Sequence, residues 1–376
     1  MPIYMDRHDI PGATATDLAT AHRKDLEVQE EYGCRALTYW FDGNRGVAFC
    51  LVDAPDAEAV TQMHNAAHGM VPNRIIAVSE ELVGAFLGRL GDPPETLKSD
   101  SSQLRVFENS AFRIVLATEL KEGGVITMKY GSAAGRTLFE FHDQVINRAF
   151  ERHNGGPASK SDNSYLTTFA SASDAVECAK QIHSELNAGT WAAHIPHAAD
   201  LHVGIGLSAG DPVTDGNELF GEAIQVAKQL CRLVRGNQVL VTAAAGNEFR
   251  KEKSTPLVSH DSFTILDPSE ERFLIALLAL AEESWNDATI HVEDLSRQVG
   301  RSKSQLSRKL VTLTGHTPKE FVRDFRLRKA LELLLARSGN VSEIAFRAGF
   351  NSAAYFSKCF QNRFGVLPSA YVKLVS

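Results

Sequence analysis

Val292-Glu293-Asp294-Leu295-Ser296-Arg297-Gln298-Val299-Gly300 reads as a short helix closing on glycine, and Ser302-Lys303-Ser304-Gln305 opens a second helix directly after it. Ser302 and Gln305 have capping-box spacing, in which each side chain satisfies a backbone N–H of the other's turn. Leu306, Leu310 and Leu313 recur at helical spacing as the inward stripe, which leaves Ser304, Gln305, Arg308 and Lys309 outside. The build repeats at Val341-Ser342-Glu343-Ile344-Ala345-Phe346-Arg347-Ala348-Gly349. There Asn351-Ser352 opens a helix with Phe356, Phe360 and Phe364 inward and Ala353, Ala354, Ser357 and Lys358 outward. A short helix, a glycine turn and a second helix with a polar outer face form a helix-turn-helix, whose second helix fits the DNA major groove. Only helical periodicity is found from Glu270 onward, so this part is expected to be all-α.

Charge supports the same reading. From Ala288 to Ser376 there are 15 Lys and Arg against 6 Asp and Glu, a balance of +9, while the whole chain carries -7; the remainder is therefore at -16. A basic module on an acidic body suits nucleic-acid binding by one part of the chain.

Residues 270–376 resemble the DNA-binding domain of the AraC/XylS transcription regulators. The match runs through Leu306-Ser307-Arg308-Lys309-Leu310, Gly315-His316-Thr317-Pro318, Arg326-Leu327, Ile344-Ala345, Gly349-Phe350, Tyr355-Phe356-Ser357-Lys358 and Phe364-Gly365. The resemblance implies two helix-turn-helix units on one linking helix, 318–337, reading major-groove segments about 34 Å apart. It carries the base-reading face onto Ser304, Gln305 and Arg308 in the first unit and Ala353, Ala354 and Lys358 in the second, with Lys309 a further candidate contact.

Working outward, residues 104–253 alternate strand patterns (112–118, 165–169, 201–207, 238–242) with helical ones (137–153, 173–187, 219–234), as an α/β domain does. This segment resembles the class III nucleotidyl cyclase catalytic domain through His153-Asn154-Gly155-Gly156, Leu166-Thr167-Thr168-Phe169, Val203-Gly204-Ile205-Gly206-Leu207 and Leu219-Phe220-Gly221-Glu222. That chemistry uses two metal-holding aspartates and an Asn and Arg that steady the transition state. The matching positions carry Glu119, Asn163 with Asp162 beside it, Gln225 and Gln229. With an amide in place of one metal ligand and no arginine, the expectation is a domain that is not an enzyme and is kept for sensing. The resemblance also implies pairing into a homodimer. The alternative is a nucleotide cyclase fused to a DNA-binding domain, with Glu119 and Asp162 as metal ligands.

Residues 1–90 read as βαββαβ, the order of a ferredoxin-like α+β domain, with Asp42-Gly43 as the hairpin signal. His64 and His68 lie four apart on its second helix, which puts both imidazoles on one face, and His8 and His22 could add ligands. The segment resembles a small ferredoxin-like family whose studied members bind nickel, through Met5-Asp6-Arg7-His8, Ala21-His22, Tyr39-Trp40, Cys50-Leu51-Val52-Asp53 and His64 to His68. Metal sensing, an organic ligand in a hydrophobic groove, and dimerisation alone are all open for this domain.

The 376 residues contain no apolar run near the roughly 18 needed to span a bilayer, and the N-terminus lacks a secretion signal, so no membrane association and a cytoplasmic location are expected. Five cysteines without CxxC spacing argue against both a disulfide framework and a thiolate zinc site. The expected function is sequence-specific transcription regulation, with an effector, either a small molecule or a divalent metal such as nickel, acting on the N-terminal half. The partners are a double-stranded DNA operator and, for an activator, RNA polymerase. A metal-buffering protein whose DNA binding is incidental is a third reading.

Overall fold

The computed structural model describes residues 1–93, 104–121, 123–186, 202–234, 236, 238–254, 263–290 and 292–375. Outside these lie most of the polar, Gly/Pro-bearing stretch 91–103, which the sequence predicts to be a linker, part of a second polar stretch, 251–269, predicted to separate the middle part from the helical one, and positions 187, 201 and 237.

The N-terminal part is ferredoxin-like. Its elements are β1 (Ile3–Asp9), α1 (Ala15–Val28), β2 (Arg35–Asp42), β3 (Val47–Asp53), α2 (Ala57–Ala67) and β4 (Arg74–Val78), in a sheet of order β2-β3-β1-β4. The helical spacing of Ala13 to Tyr32 predicts a first helix to Tyr32, but α1 stops at Val28, because a 3-10 turn at Gln29–Tyr32 closes on left-handed Gly33. A further helix, α3 (Glu80–Leu87), was not expected; Ser79 caps it by accepting from the Leu82 amide. Along β1 the side chains alternate, so Asp6 and His8 face α1 and α2 while Met5 faces away.

The middle part runs β5 (Arg113–Leu120), α4 (Ile126–Tyr130), α5 (Ser132–Arg152), β6 (Ser159–Ser161), β7 (Ser164–Phe169), α6 (Ala172–Glu185), β8 (Val203–Gly210), α7 (Gly221–Leu233), β9 (Val239–Val241), α8 (Ala243–Lys253) and β10 (Phe263–Ile265). The sheet order is β10-β9-β8-β5-β7-β6, with β5 antiparallel to both neighbours and β8, β9 and β10 parallel. The two strands not anticipated are short ones: β6 is the exposed Ser159-Lys160-Ser161, without an apolar signal, and β10 falls inside a stretch expected to connect domains. One sheet face and the outward face of the N-terminal sheet share a core of Met5, Trp40, Phe49, Val115, Phe220 and Ala227.

His183 on α6 is buried, its Nε2–H donating to the Val203 carbonyl at 3.0 Å while Nδ1 has no partner among the described residues. Burial pulls its pKa down to about 4. The unfolded chain, whose His keeps a pKa near 6.5, therefore binds the extra proton first. Its contribution to stability is intact above about pH 6.5 and falls away as pH drops towards 4, by about 3 kcal/mol. Urea midpoints measured across this window should show a flatter pH profile for His183→Gln than for the wild type.

The C-terminal part is all helical: α9 (Pro268–Ser284), α10 (Val292–Gln298), α11 (Lys303–Thr314), α12 (Pro318–Leu335), α13 (Val341–Arg347), α14 (Ala353–Phe364) and α15 (Pro368–Val375). Asp267 caps α9 one residue after Leu266, so the helix follows β10 almost directly. Leu274, Leu277, Leu306 and Leu310 pack in one core with Val226, Leu230 and Leu233 of α7. Thus α7 touches the N-terminal part on one side and the helical domain on the other. No helix among the described residues is long and apolar enough to cross a membrane.

Candidate metal centre and DNA-reading face

In the N-terminal part α1 brings His22 and Asp25, and α2 brings His64 and His68, towards Asp6 and His8 of β1 and Cys50 of β3. His64 on α2 is fully buried with both ring nitrogens engaged, Nε2 at 2.8 Å from Asp6 Oδ2 and Nδ1 at 3.0 Å from Asp25 Oδ1. A ring that meets a carboxylate at each nitrogen is an imidazolium donating twice. Burial opposes that charge, but Asp6, with bonds from both acids, lifts the His64 pKa to about 10. The same contacts hold Asp6 and Asp25 below the usual carboxylate range despite their burial.

The other three predicted histidines line a small cavity of about 10 Å³, shared with Asp25, Cys50 and Tyr39. That is room for about one water-sized occupant. His68 Nε2 lies 3.1 Å from Asp25 Oδ1, and its Nδ1 accepts from the Met70 amide. His8 Nε2 is 3.2 Å from Asp6 Oδ1 and has no hydrogen-bond partner among the described residues. His22 Nε2 is 3.7 Å from Asp92, outside the two donor clusters Asp6-His8-Cys50-His64 and Asp25-His64-His68. Burial, then Asp6, pushes the Cys50 thiol well up, so it is protonated until something displaces the proton. An unpartnered buried imidazole nitrogen beside nitrogen, oxygen and sulfur donors fits a borderline divalent ion. The sequence singled out the helical pair His64 and His68; the structure turns only His68 to the cavity. Asp6, Asp25 and Cys50 carried no spacing signal, since three separate elements supply them.

On the helical domain, Ser304, Gln305 and Arg308 are exposed on α11, and Ala354 and Lys358 on α14; Ala353 is half-buried. Arg308 has no carboxylate within ion-pair distance among the described residues. Gln305 Oε1 accepts from the Ser302 amide at 3.1 Å, so pairing through both its oxygen and its nitrogen would cost the cap. Lys309 is drawn back, its Nζ over the Phe273 ring at 5.5 Å. Tyr355, absent from the sequence-derived face, stands 55% exposed on the first turn of α14. The apolar stripes are buried as spaced, Leu306, Leu310 and Leu313 in one unit and Phe356, Phe360 and Phe364 in the other. Gly349, at φ +76°, makes the turn before α14, and a side chain there would meet the Trp285 carbonyl oxygen at 2.7 Å.

Glu119, Asp162, Asn163, Gln225 and Gln229 all line one cleft between the middle sheet and the helical domain. Lys121 Nζ lies 2.8 Å from Glu119 and donates to the Cys231 carbonyl, while the Asn163 amide donates to the Leu120 carbonyl.

Residues 295–373 match a helix-turn-helix domain family, and residues 4–78 match the family described as nickel responsive protein SCO4226-like. The uncharacterized HTH-type transcriptional regulator YidL of Escherichia coli is 35% identical over 103 residues, 27% of this chain and 33% of that protein. The first curated relatives are spanned over only 7%, 33% and 30% of their lengths. Among solved structures, a transcriptional regulator with an AraC-type DNA-binding domain from Chromobacterium violaceum is 26% identical over 28% of this chain and 94% of that one, at TM-score 0.27. SCO4226 of Streptomyces coelicolor is 34% identical over 20% of this chain and 94% of that one, at TM-score 0.20.

Proposed function

We infer that this chain is a DNA-binding transcription regulator of the AraC type, with two helix-turn-helix units as reader and a metal-responsive N-terminal half. The observation that carries the reading is the pair of exposed helices, α11 and α14, flanking the single linking helix α12, each with its apolar stripe buried. Arg308 and Lys358 can donate to guanine O6 and N7, and the exposed Ala354 can meet a thymine methyl. The partner is a double-stranded operator, and RNA polymerase if the outcome is activation.

A divalent ion such as nickel would be held by His8, His68, Asp25 and Cys50, with His22 in the cavity wall. Bound there, it would supply a fixed positive charge that displaces the donors' protons. His64 serves as the cation that holds Asp6 and Asp25 together. From β1, Arg7 sits between Asp6 and His8 and ion-pairs with Asp211 at 3.1 Å, and Arg74 donates to the Asp215 carbonyl at 2.7 Å. Both partners lie on the segment leading into α7, the helix packed on the reader. A metal acts on DNA binding only by favouring one arrangement of the reader over another.

The middle part supports a cyclase-like scaffold by its central antiparallel β5 and its element order. We read it as inert, since Lys121 already neutralises Glu119 and the Asn163 amide is tied to backbone. Its further role is homodimerisation.

Selection from a random duplex pool by the purified chain, with and without Ni²⁺, tests the reading. Enrichment of one sequence is the expected result; no enrichment in either condition would sink it. Arg308→Ala should weaken the selected site by about 1–3 kcal/mol and relax preference at one position. Equal weakening on every sequence would make Arg308 a phosphate contact instead.

A further inference from the structure

A cavity of about 440 Å³ lies where the N-terminal and middle parts meet, walled by Trp40 of β2, Arg89 just beyond α3, and Phe112 and Arg113 where β5 begins. Three arginines and three glutamates line it, but they are not matched in pairs. Arg45 takes Glu248 at 2.8 Å, and Glu252 is committed to the start of α6, accepting from the Ala172 and Ser173 amides at 2.7 and 2.8 Å. Glu108 is exposed and leans on the β2–β3 turn, where a Cβ at Gly43 would lie 2.9 Å from its Oε1. Arg89 and Arg113 have no carboxylate within ion-pair distance among the described residues. Arg113 donates from Nε to the Phe86 carbonyl at 2.9 Å and from Nη1 to those of Ser110 and Phe112 at 2.8 and 3.0 Å. Arg89 donates to Thr38 Oγ1 at 2.6 Å and to the Tyr39 carbonyl, and lies over the Trp40 ring at 4.5 Å. These partners are neutral, so they satisfy N–H groups without cancelling charge. Burial holds both arginine pKa values down at about 10, and the charge of Arg89 adds to the effect on Arg113. Two cations withdrawn from water near one another, with no anion, are costly.

We propose that this cavity binds a small aromatic carboxylate, its anionic end on Arg89 and Arg113 and its ring against the walls formed by Trp40 and Phe112. The guanidinium fork matches a carboxylate, and the volume falls within the roughly 300–1,000 Å³ of ordinary ligand pockets. Leu87, Ile114 and Ala172 add apolar lining, which suits a flat apolar body. The three glutamates oppose a multiply charged anion, so the site selects a single negative charge on that body. Trp40 and Tyr39 point to opposite faces of the N-terminal sheet, and Tyr39 is the one that lines the histidine cavity. The two sites are therefore separate, and the proposal is independent of the metal reading and of the DNA-reading face. A ligand seated here contacts both parts of the body, since Trp40 and Arg89 come from one and Arg113 from the other.

Isothermal titration of the full chain, metal-free, with benzoate and with 2-naphthoate tests it, the neutral benzamide and 2-naphthamide serving as controls. Saturable binding of at least one carboxylate is expected, with its amide about tenfold weaker or more, because hydrogen bonds from guanidinium to carboxylate are charge-assisted. Arg113→Gln should weaken the carboxylate by a similar factor. Ala170 is exposed on the cavity wall and offers no side-chain hydrogen bond, so Ala170→Trp fills the space without removing a bond the fold uses. It should abolish binding, and it keeps the test open even where Arg113→Gln does not fold. No saturation by either carboxylate at millimolar concentration, or full affinity in Ala170→Trp, overturns the proposal. So does an amide that binds as tightly as its acid, which would make the cavity an apolar niche with no use for its arginines.

Discussion

Ni²⁺ should raise the melting temperature of the wild-type chain, and a His8→Ala/His68→Ala chain should lose that rise while remaining folded. At a metal concentration about 100 times its Kd, binding to the folded state alone adds about 2.7 kcal/mol. Both imidazoles line the cavity and neither bridges two acids, so their removal takes away donors without stranding a buried charge. Affinity should fall at least about 100-fold, since loss of a merely supporting partner already costs 10- to 100-fold. His64→Ala should behave differently. It leaves Asp6 and Asp25 buried without the imidazolium between them, and removal of one member of such a network costs about 3–5 kcal/mol even in the metal-free chain. Scanning fluorimetry of the three proteins, with and without Ni²⁺, separates the roles. An unchanged Ni²⁺ response in the double variant would move the metal elsewhere.

Gly206→Ala should lower stability by about 3 kcal/mol or more, the upper end for overpacking. The added methyl would stand 2.1 Å from the Ala227 carbonyl oxygen and 2.7 Å from the Cys231 amide nitrogen. Both atoms are backbone of α7, so no rotamer change relieves the clash, and the whole helix must lift from β8. Ala227 and Leu230, both fully buried, then lose their seats in two different cores. Chemical denaturation followed by circular dichroism checks this; a loss under about 1 kcal/mol would mean that α7 does not lie so close to the sheet.

How far the sequence could be read differs by region, for physical reasons. The helices of the two helix-turn-helix units were legible because their signals are local: capping box, helical stripe and glycine turn lie within a few positions of one another. The βαββαβ order was legible for the same reason, from alternation and one hairpin. The histidine cluster was half legible. Spacing on one helix suggested His64 and His68, but which imidazole faces a cavity depends on Asp6 from β1 and Asp25 from α1, a convergence only the fold creates. The contact of Arg328 with the Arg232 carbonyl was illegible, since it joins two helices about a hundred positions apart. Strand β6 escaped because three exposed polar residues carry no periodicity.

The near-absence of a spacer between β10 and α9 also bears on descent. A DNA-reading module on a flexible tether can be exchanged between proteins by recombination at the tether. Here the cut would fall beside Leu266, and the α9 surface bearing Leu274 and Leu277 is matched to Val226, Leu230 and Leu233 on the other side of it. A foreign reader spliced on at that point would meet a surface shaped for another helix. Body and reader are thus bound to change together, and a chimera that works must carry the α7 face along with the helices it supports.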